Sequence, residues 1–82
     1  MHMELNIQAF GIAKEIVGGS ELQLQVSDKI TAAELKQLLE SRYEKLSKLS
    51  SFLLAVNDEY AAPEEILNAG DEIAIIPPVS GG

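Results

Sequence analysis

The chain has 82 residues, of which 46% are hydrophobic and 23% are charged, and its 13 Asp and Glu against 6 Lys and Arg give a net charge of −7. This length fits one domain with one compact core. The absence of Cys excludes thiol catalysis, iron–sulfur ligation and Cys-based zinc sites, and the acidic balance argues against nucleic-acid binding, which Lys and Arg drive. With no apolar run long enough for a membrane span and no secretory signal, we expect a cytoplasmic protein.

Two alternating segments in the first third of the chain predict a β-hairpin. Apolar and polar residues alternate along 3–10 and again along 21–26, which is typical of half-buried strands. Gly11 ends the first of these strands, and the residues 12–17 that follow are a short connection with room for one helical turn. The two glycines at 18–19 predict a tight turn before the second strand.

The next segment predicts an amphipathic helix with a well-marked start. Thr31 and Glu34 have the spacing of a capping box, in which each side chain accepts a hydrogen bond from the other residue's backbone N–H. Ile30 and Leu35 have the spacing of a hydrophobic staple. We expect the helix to cover about residues 32–45. Its apolar stripe consists of Leu35, Leu38, Leu39 and Tyr43 or Leu46.

The second half of the chain predicts further strands separated by turns. Residues 52–57 are apolar almost throughout, which predicts a strand buried on both faces. A turn and a very short strand at 60–61 follow, and the early proline of 63–67 suggests a helical turn there. Residues 72–76 predict the last strand, which the prolines at 77–78 end because proline donates no ladder hydrogen bond.

The order is therefore β-β-α-β-(short β)-β, which predicts an α+β fold. Its mixed sheet has one main helix packed across one face, and the opposite face is expected to be largely solvated.

No catalytic constellation is visible in the sequence. His2 is the only histidine and stands beside the N-terminus. The carboxylate pairs at 58–59, 64–65 and 71–72 are adjacent in sequence and lie in predicted turns, where we interpret them as solvated charges. No phosphate-binding loop or nucleophile motif is present. We therefore expect a chain that is not catalytic on its own.

The last six residues form a tail of unusual chemistry. They are Pro77, Pro78, Val79, Ser80, Gly81 and Gly82. The prolines favour a stiff, extended base, and the glycines give a thin tip that fits a channel too narrow for side chains. Fully extended, six residues reach about 20 Å. We divide the chain into a domain at 1–76 and a tail at 77–82.

This tail and the order of elements resemble the ubiquitin-like β-grasp sulfur carriers, and within that family the small subunits of molybdopterin synthase. The resemblance covers nearly the whole chain and is carried by residues 10–18, 31–35, 54–57 and 67–82. The Pro-Pro-Val-Ser-Gly-Gly ending is its most specific part. Lys14 stands where many relatives have Arg, which keeps the charge but weakens a bidentate contact.

The resemblance implies that the carboxylate of Gly82 is the reacting group. An adenylating enzyme would activate it with ATP and Mg²⁺, and a sulfur donor protein would convert it to a thiocarboxylate. The large subunit of molybdopterin synthase would then take the tail into its active site within a heterotetramer. There the sulfur would pass to a cyclic pyranopterin monophosphate.

Docking also requires a surface beside the tail. Alternation places Phe10 outward on the first strand and Ile76 outward on the last, and these strands are neighbours in a β-grasp sheet. An exposed apolar pair there is a candidate contact patch that Tyr60 can join. By resemblance, Phe10, Lys14, Tyr60 and Ile76 lie where family members meet the large subunit.

Two other readings stay open at this point. The chain could carry sulfur for thiamine or another pathway, or could be a small modifier conjugated to lysines. It could also be a non-catalytic ubiquitin-like interaction domain whose terminal glycines are inert.

Overall fold

A computed structural model describes residues 2–49 and 52–77 of the chain. Its elements, in chain order, are β1 (His2–Ala9), α1 (Ile12–Val17), β2 (Glu21–Ser27), α2 (Ala32–Arg42), α3 (Glu44–Ser47), β3 (Leu53–Val56), β4 (Glu59–Tyr60) and β5 (Ile73–Ile76). The predicted α+β class is confirmed, and the fold is a ubiquitin-like β-grasp.

The strands form one mixed sheet in the order β2-β1-β5-β3-β4. β1 and β2 are the predicted antiparallel hairpin, and β1 pairs in parallel with β5 at the centre of the sheet. The expectation that the first and last strands are neighbours is therefore confirmed. This pairing places the end of β1 beside the end of β5, from which the tail departs.

The core lies between one face of the sheet and the helices. Leu5 and Ile7 of β1 and Ile75 of β5 are fully buried, as are Leu35 and Leu39 of α2. These residues belong to one cluster of buried apolar side chains. In the described ranges, no helix is long and apolar enough to cross a membrane.

The start of α2 follows the sequence prediction closely. The Thr31 N–H donates to Glu34 Oε1 at 2.9 Å, and the Glu34 N–H donates to Thr31 Oγ1 at 3.2 Å, which together make the capping box. Ile30 and Leu35, the predicted staple, are both buried. The first turn of the helix thus begins where the sequence places it.

The predicted end of this helix at residue 45 is wrong. α2 ends at Arg42, and Tyr43 adopts an extended conformation with φ −124° and ψ 97° before α3 begins. The break redirects the chain so that α3 lies against α1 while Leu46 is fully buried.

The helical turn predicted at 63–67 is also wrong. Ile66 instead forms an isolated antiparallel bridge with Thr31. The carbonyls of Pro63 and Glu65 accept hydrogen bonds from Ala33 N–H and Ala32 N–H, each at 2.9 Å. The segment therefore caps N–H groups in the first turn of α2 that have no partner within the helix. These contacts between distant parts of the chain outweigh the local preference of proline for a helix start.

The third correction concerns β3, which is not buried on both faces. Leu54 and Val56 are buried, but the Leu53 side chain is 49% exposed. β3 is therefore half-buried like β1, because the helices cover only one face of the sheet.

Candidate functional site

The face of the sheet opposite the helices carries a row of paired residues that crosses four strands. Gln8 of β1 pairs with Ala74 of β5, Ala74 pairs with Ala55 of β3, and Ala55 pairs with Tyr60 of β4. The two alanines have small side chains, so the middle of the row lies lower than its end, where Tyr60 is 69% exposed. The row therefore forms the floor and one wall of a shallow depression.

A second row nearer the tail supplies the other apolar side chains. Ile76 of β5 pairs with Leu53 of β3, and Phe10 follows the last residue of β1 with its side chain 49% exposed. We name the exposed or half-buried set Phe10, Leu53, Tyr60 and Ile76 the apolar patch. An apolar patch of this kind is suited to docking a protein partner.

The structure brings together three of the four surface residues that the sequence predicts. Phe10, Tyr60 and Ile76 line one concavity. Lys14 lines a neighbouring concavity that shares Phe10 with the first and also includes Gly11. Lys14 thus lies beside the apolar patch near the root of the tail. The roles of all four residues stay predictions.

The other half of the same sheet face is polar. On β1 and β2 the outward side chains include Glu4, Asn6, Gln23 and Gln25, and all four are exposed. The apolar patch therefore occupies the half of the face formed by β5, β3 and β4, together with Phe10 at the end of β1. A partner that buries apolar surface would sit over that half.

Two carboxylates stand at the rim of the apolar patch. Asp58 and Glu72 line the same concavity as Phe10 and Tyr60. Asn57 and Asp58 have φ of 53° and 70°, which fits the two-residue turn that connects antiparallel strands such as β3 and β4. In the part of the chain that the structure describes, no group of three or more His, Asp and Glu side chains is arranged to hold a metal ion.

The Asn57 side chain ties this turn to the loop before β5. Its Nδ2 donates to Asp71 Oδ1 at 3.1 Å, and its Oδ1 accepts from the Glu72 N–H at 3.0 Å. The second carboxylate oxygen of Asp71 accepts from the Asn68 N–H at 2.8 Å. These bonds fix the backbone of the turn before β4 relative to the backbone at the start of β5, beside the apolar patch.

The root of the tail rests on the turn before α1. A Cβ atom added to Gly11 would lie 3.3 Å from Pro77 Cγ, so the proline ring approaches the bare Cα of this glycine closely. The other predicted tail residues, Pro78, Val79, Ser80, Gly81 and Gly82, lie outside the described residues.

The sequence prediction missed two parts of this surface. The outward orientation of Leu53 could not be predicted, because a run of uniformly apolar residues does not reveal which side chains face outward. Asp58 and Glu72 were interpreted as turn charges, and only the pairing of β3 with β5 places them at one rim.

Comparison with known proteins places this fold among sulfur carriers and modifiers. The sequence profile described as the ThiS family matches residues 7–82. The molybdopterin synthase sulfur carrier subunit of Dictyostelium discoideum is 38% identical, with 100% of each chain covered. The protein of the same name from Drosophila erecta is 34% identical, and the match covers 98% of this chain and 92% of that one.

Solved structures with the same fold include chains from protein complexes. A putative molybdopterin converting factor subunit 1 from Pyrococcus furiosus has a TM-score of 0.84 at 21% identity, covering 94% of this chain and 99% of that one. SAMP1 from Haloferax volcanii has a TM-score of 0.78 at 27% identity, covering 96% and 99%. A chain in the complex of subunits 1 and 2 of the Helicobacter pylori molybdopterin-converting factor has a TM-score of 0.61 at 26% identity, covering 98% and 100%.

Proposed function

The chain belongs to the ThiS family, and from this premise we propose that it is the sulfur carrier subunit of a molybdopterin synthase. The observation that carries the proposal is the end-to-end match to a molybdopterin synthase sulfur carrier subunit, at 38% identity over all of both chains. Both the folded domain and the Gly-Gly tail are therefore within the matched region.

The proposed chemistry takes place at the C-terminal carboxylate of Gly82. A carboxylate is a poor electrophile, so an activating enzyme first joins it to AMP. A carboxylate oxygen attacks the α-phosphorus of ATP and pyrophosphate leaves, with Mg²⁺ neutralising the phosphate charge. Sulfur delivered as a sulfide equivalent by a donor protein then attacks the acyl carbon, and AMP leaves. The product is a thiocarboxylate in which sulfur has replaced one oxygen.

The second stage moves that sulfur to the pterin. The large subunit binds the tail in a channel and holds the thiocarboxylate against a cyclic pyranopterin monophosphate. Two transfers, each from one thiocarboxylate, supply the two sulfur atoms of the dithiolene that holds molybdenum. In each transfer the thiocarboxylate sulfur displaces an oxygen substituent from a pterin carbon to form a thioester, and water then hydrolyses the acyl–sulfur bond. The sulfur stays on the pterin and the tail returns to a carboxylate, so the carrier can be charged again.

The apolar patch is the proposed docking surface for the large subunit. Phe10, Leu53 and Tyr60 are exposed on the same sheet face, and Pro77 begins the tail directly after Ile76 of that patch. A partner that covers the patch therefore receives the tail at the edge of the buried area. Support comes from the Helicobacter pylori complex of subunits 1 and 2, which contains a chain of this fold.

A second candidate function is protein modification. The similarity to SAMP1, the small archaeal modifier protein 1, favours it. The activation chemistry would be the same, but the acyl group would pass to a lysine amine and form an isopeptide bond.

Reconstitution with defined partners distinguishes these candidates. We expect the thiocarboxylated chain and a molybdopterin synthase large subunit to convert cyclic pyranopterin monophosphate to molybdopterin, with one carrier carboxylate regenerated per sulfur delivered. A matched chain lacking residues 81–82 is expected to give no product. The modifier function would instead be supported by two results together. Neither chain would give molybdopterin, and a lysate from the source cells would contain proteins joined to the chain through isopeptide bonds.

A further inference from the structure

The turn between β1 and α1 places a glycine directly under the root of the tail. We propose that Gly11 is a positioning residue whose bare Cα seats the Pro77 ring and thereby sets the direction in which the tail leaves the sheet. The inference rests on the proposed function, in which residues 77–82 are the working end of the chain.

The backbone at Gly11 has a conformation that other residues avoid. Its φ is 56° and its ψ is −134°, a region in which a Cβ clashes with the backbone. This conformation turns the chain from β1 into α1. The carbonyls of Phe10 and Gly11 then accept from Ala13 N–H and Lys14 N–H, each at 3.1 Å. Glycine is therefore favoured by the turn alone.

The packing gives a second and separate requirement. A Cβ on Gly11 would lie 3.3 Å from Pro77 Cγ, which is tighter than an ordinary van der Waals contact. Pro77 is half-buried and its ring holds φ near −65°. A methyl group at position 11 would therefore push on the Pro77 ring, whose Cγ would have to move by a few tenths of an ångström. Displacing that ring changes the direction of the chain that follows it.

A change of direction at the root is amplified at the tip. In the extended form that a narrow partner channel would impose, six residues span about 20 Å, and a swing of about 10° at Pro77 then moves the end of the tail by roughly 3 Å. Misplacing reacting groups by about 1 Å can cost about a hundredfold in rate. The partner's channel guides the tip and corrects part of the error, so we expect a loss of about tenfold rather than the full penalty.

Gly18 provides a matched control at the other end of the same helix. Its φ is 86°, so an alanine there is also strained, but a Cβ would have nothing within 4 Å. Gly18→Ala therefore reports what backbone strain in this region does without contact to Pro77. Pro77→Ala removes the ring itself and therefore abolishes the contact with Gly11 from the Pro77 side.

The test compares Gly11→Ala, Gly18→Ala, Pro77→Ala and the Gly11→Ala/Pro77→Ala double variant in the full chain. We expect Gly11→Ala to lower the kcat of adenylation about tenfold with KM within about twofold, because the docked body is unchanged and the tip is misplaced. Gly18→Ala should lower the melting temperature but leave kcat unchanged. The double variant should be no slower than the slower single variant, because both changes remove one contact.

A second measurement tests whether Gly11 orients the tail without depending on the proposed function. Residual dipolar couplings of the Val79 and Ser80 N–H vectors report the direction of the tail relative to the folded domain without any partner. We expect them to change in Gly11→Ala and to match wild type in Gly18→Ala. Unchanged couplings in Gly11→Ala, equal kcat for the two glycine variants, or rate losses that multiply in the double variant would each overturn the inference. Absence of any adenylation of the wild-type chain would contradict the proposed function, while the couplings would still decide whether Gly11 orients the tail.

Discussion

Gly81→Val is expected to fold normally and to lose at least about a hundredfold in the rate of adenylation, because it adds bulk one residue from the reacting carboxylate. Valine favours an extended backbone, so its conformational preference is not the obstacle. In the proposed function the obstacle is bulk, because the tail must pass through a narrow passage that holds the Gly82 carboxylate in line with the α-phosphate of ATP. Exchange of pyrophosphate into ATP, catalysed by the activating enzyme, measures the step directly.

Gly70→Val is the matched control for this substitution. It adds the same side chain in an exposed loop, where a Cβ on Gly70 has nothing within 4 Å, and it should exchange pyrophosphate at the wild-type rate. A chain with one residue added after Gly82 should lose activity as Gly81→Val does. Wild-type exchange by Gly81→Val and by the extended chain would mean that the tip is not the working end. The hypothesis of a non-catalytic ubiquitin-like interaction domain would then be favoured.

Phe10→Ala is expected to weaken binding to the large subunit by about 1–3 kcal/mol, which is roughly five- to 150-fold in Kd. The Phe10 side chain is 49% exposed in the free chain and lies in the apolar patch, so its removal takes contact area from the interface and little from the core. The melting temperature should therefore be nearly unchanged. Calorimetric titration of the large subunit with each variant gives the Kd.

Ile66→Ala is the control for the loss of an exposed apolar side chain. Ile66 is 52% exposed but lies in the segment that caps α2, away from the apolar patch, so its removal should leave the Kd unchanged. Ile76→Asp should weaken binding at least as much as Phe10→Ala, because it places a charge within the patch. Equal Kd values for Phe10→Ala and Ile66→Ala would show that the partner docks elsewhere.

Those parts of the fold that depend on local signals could be predicted from the sequence. Alternation correctly identified Leu5 and Ile7 as inward and Gln8 as outward. The capping box at Thr31 formed as expected, because its partner is only three residues away. The pairing of the first and last strands followed from the resemblance to the β-grasp fold.

The remaining features depend on contacts between distant parts of the chain. The segment that contains Pro63 caps the start of α2 instead of forming a helical turn, and nothing near Pro63 in sequence encodes that partner. The break at Tyr43 turns the chain so that α3 contacts α1, which lies far from it in sequence. At the candidate site, Phe10 and Ile76 could be placed from alternation, whereas Leu53 required the register of β3 against β5. The contact of Gly11 with Pro77 required the structure.

The intact mass of the full chain after incubation with its activating enzyme, ATP, Mg²⁺ and a sulfur source tests the central claim most directly. The account predicts a gain equal to the difference between one sulfur and one oxygen atom, and fragmentation should assign that gain to Gly82. The gain should be absent when ATP is omitted, because unactivated carboxylate does not exchange its oxygen for sulfur. An unchanged mass, with an activating enzyme that charges another carrier in the same reaction, would contradict the account.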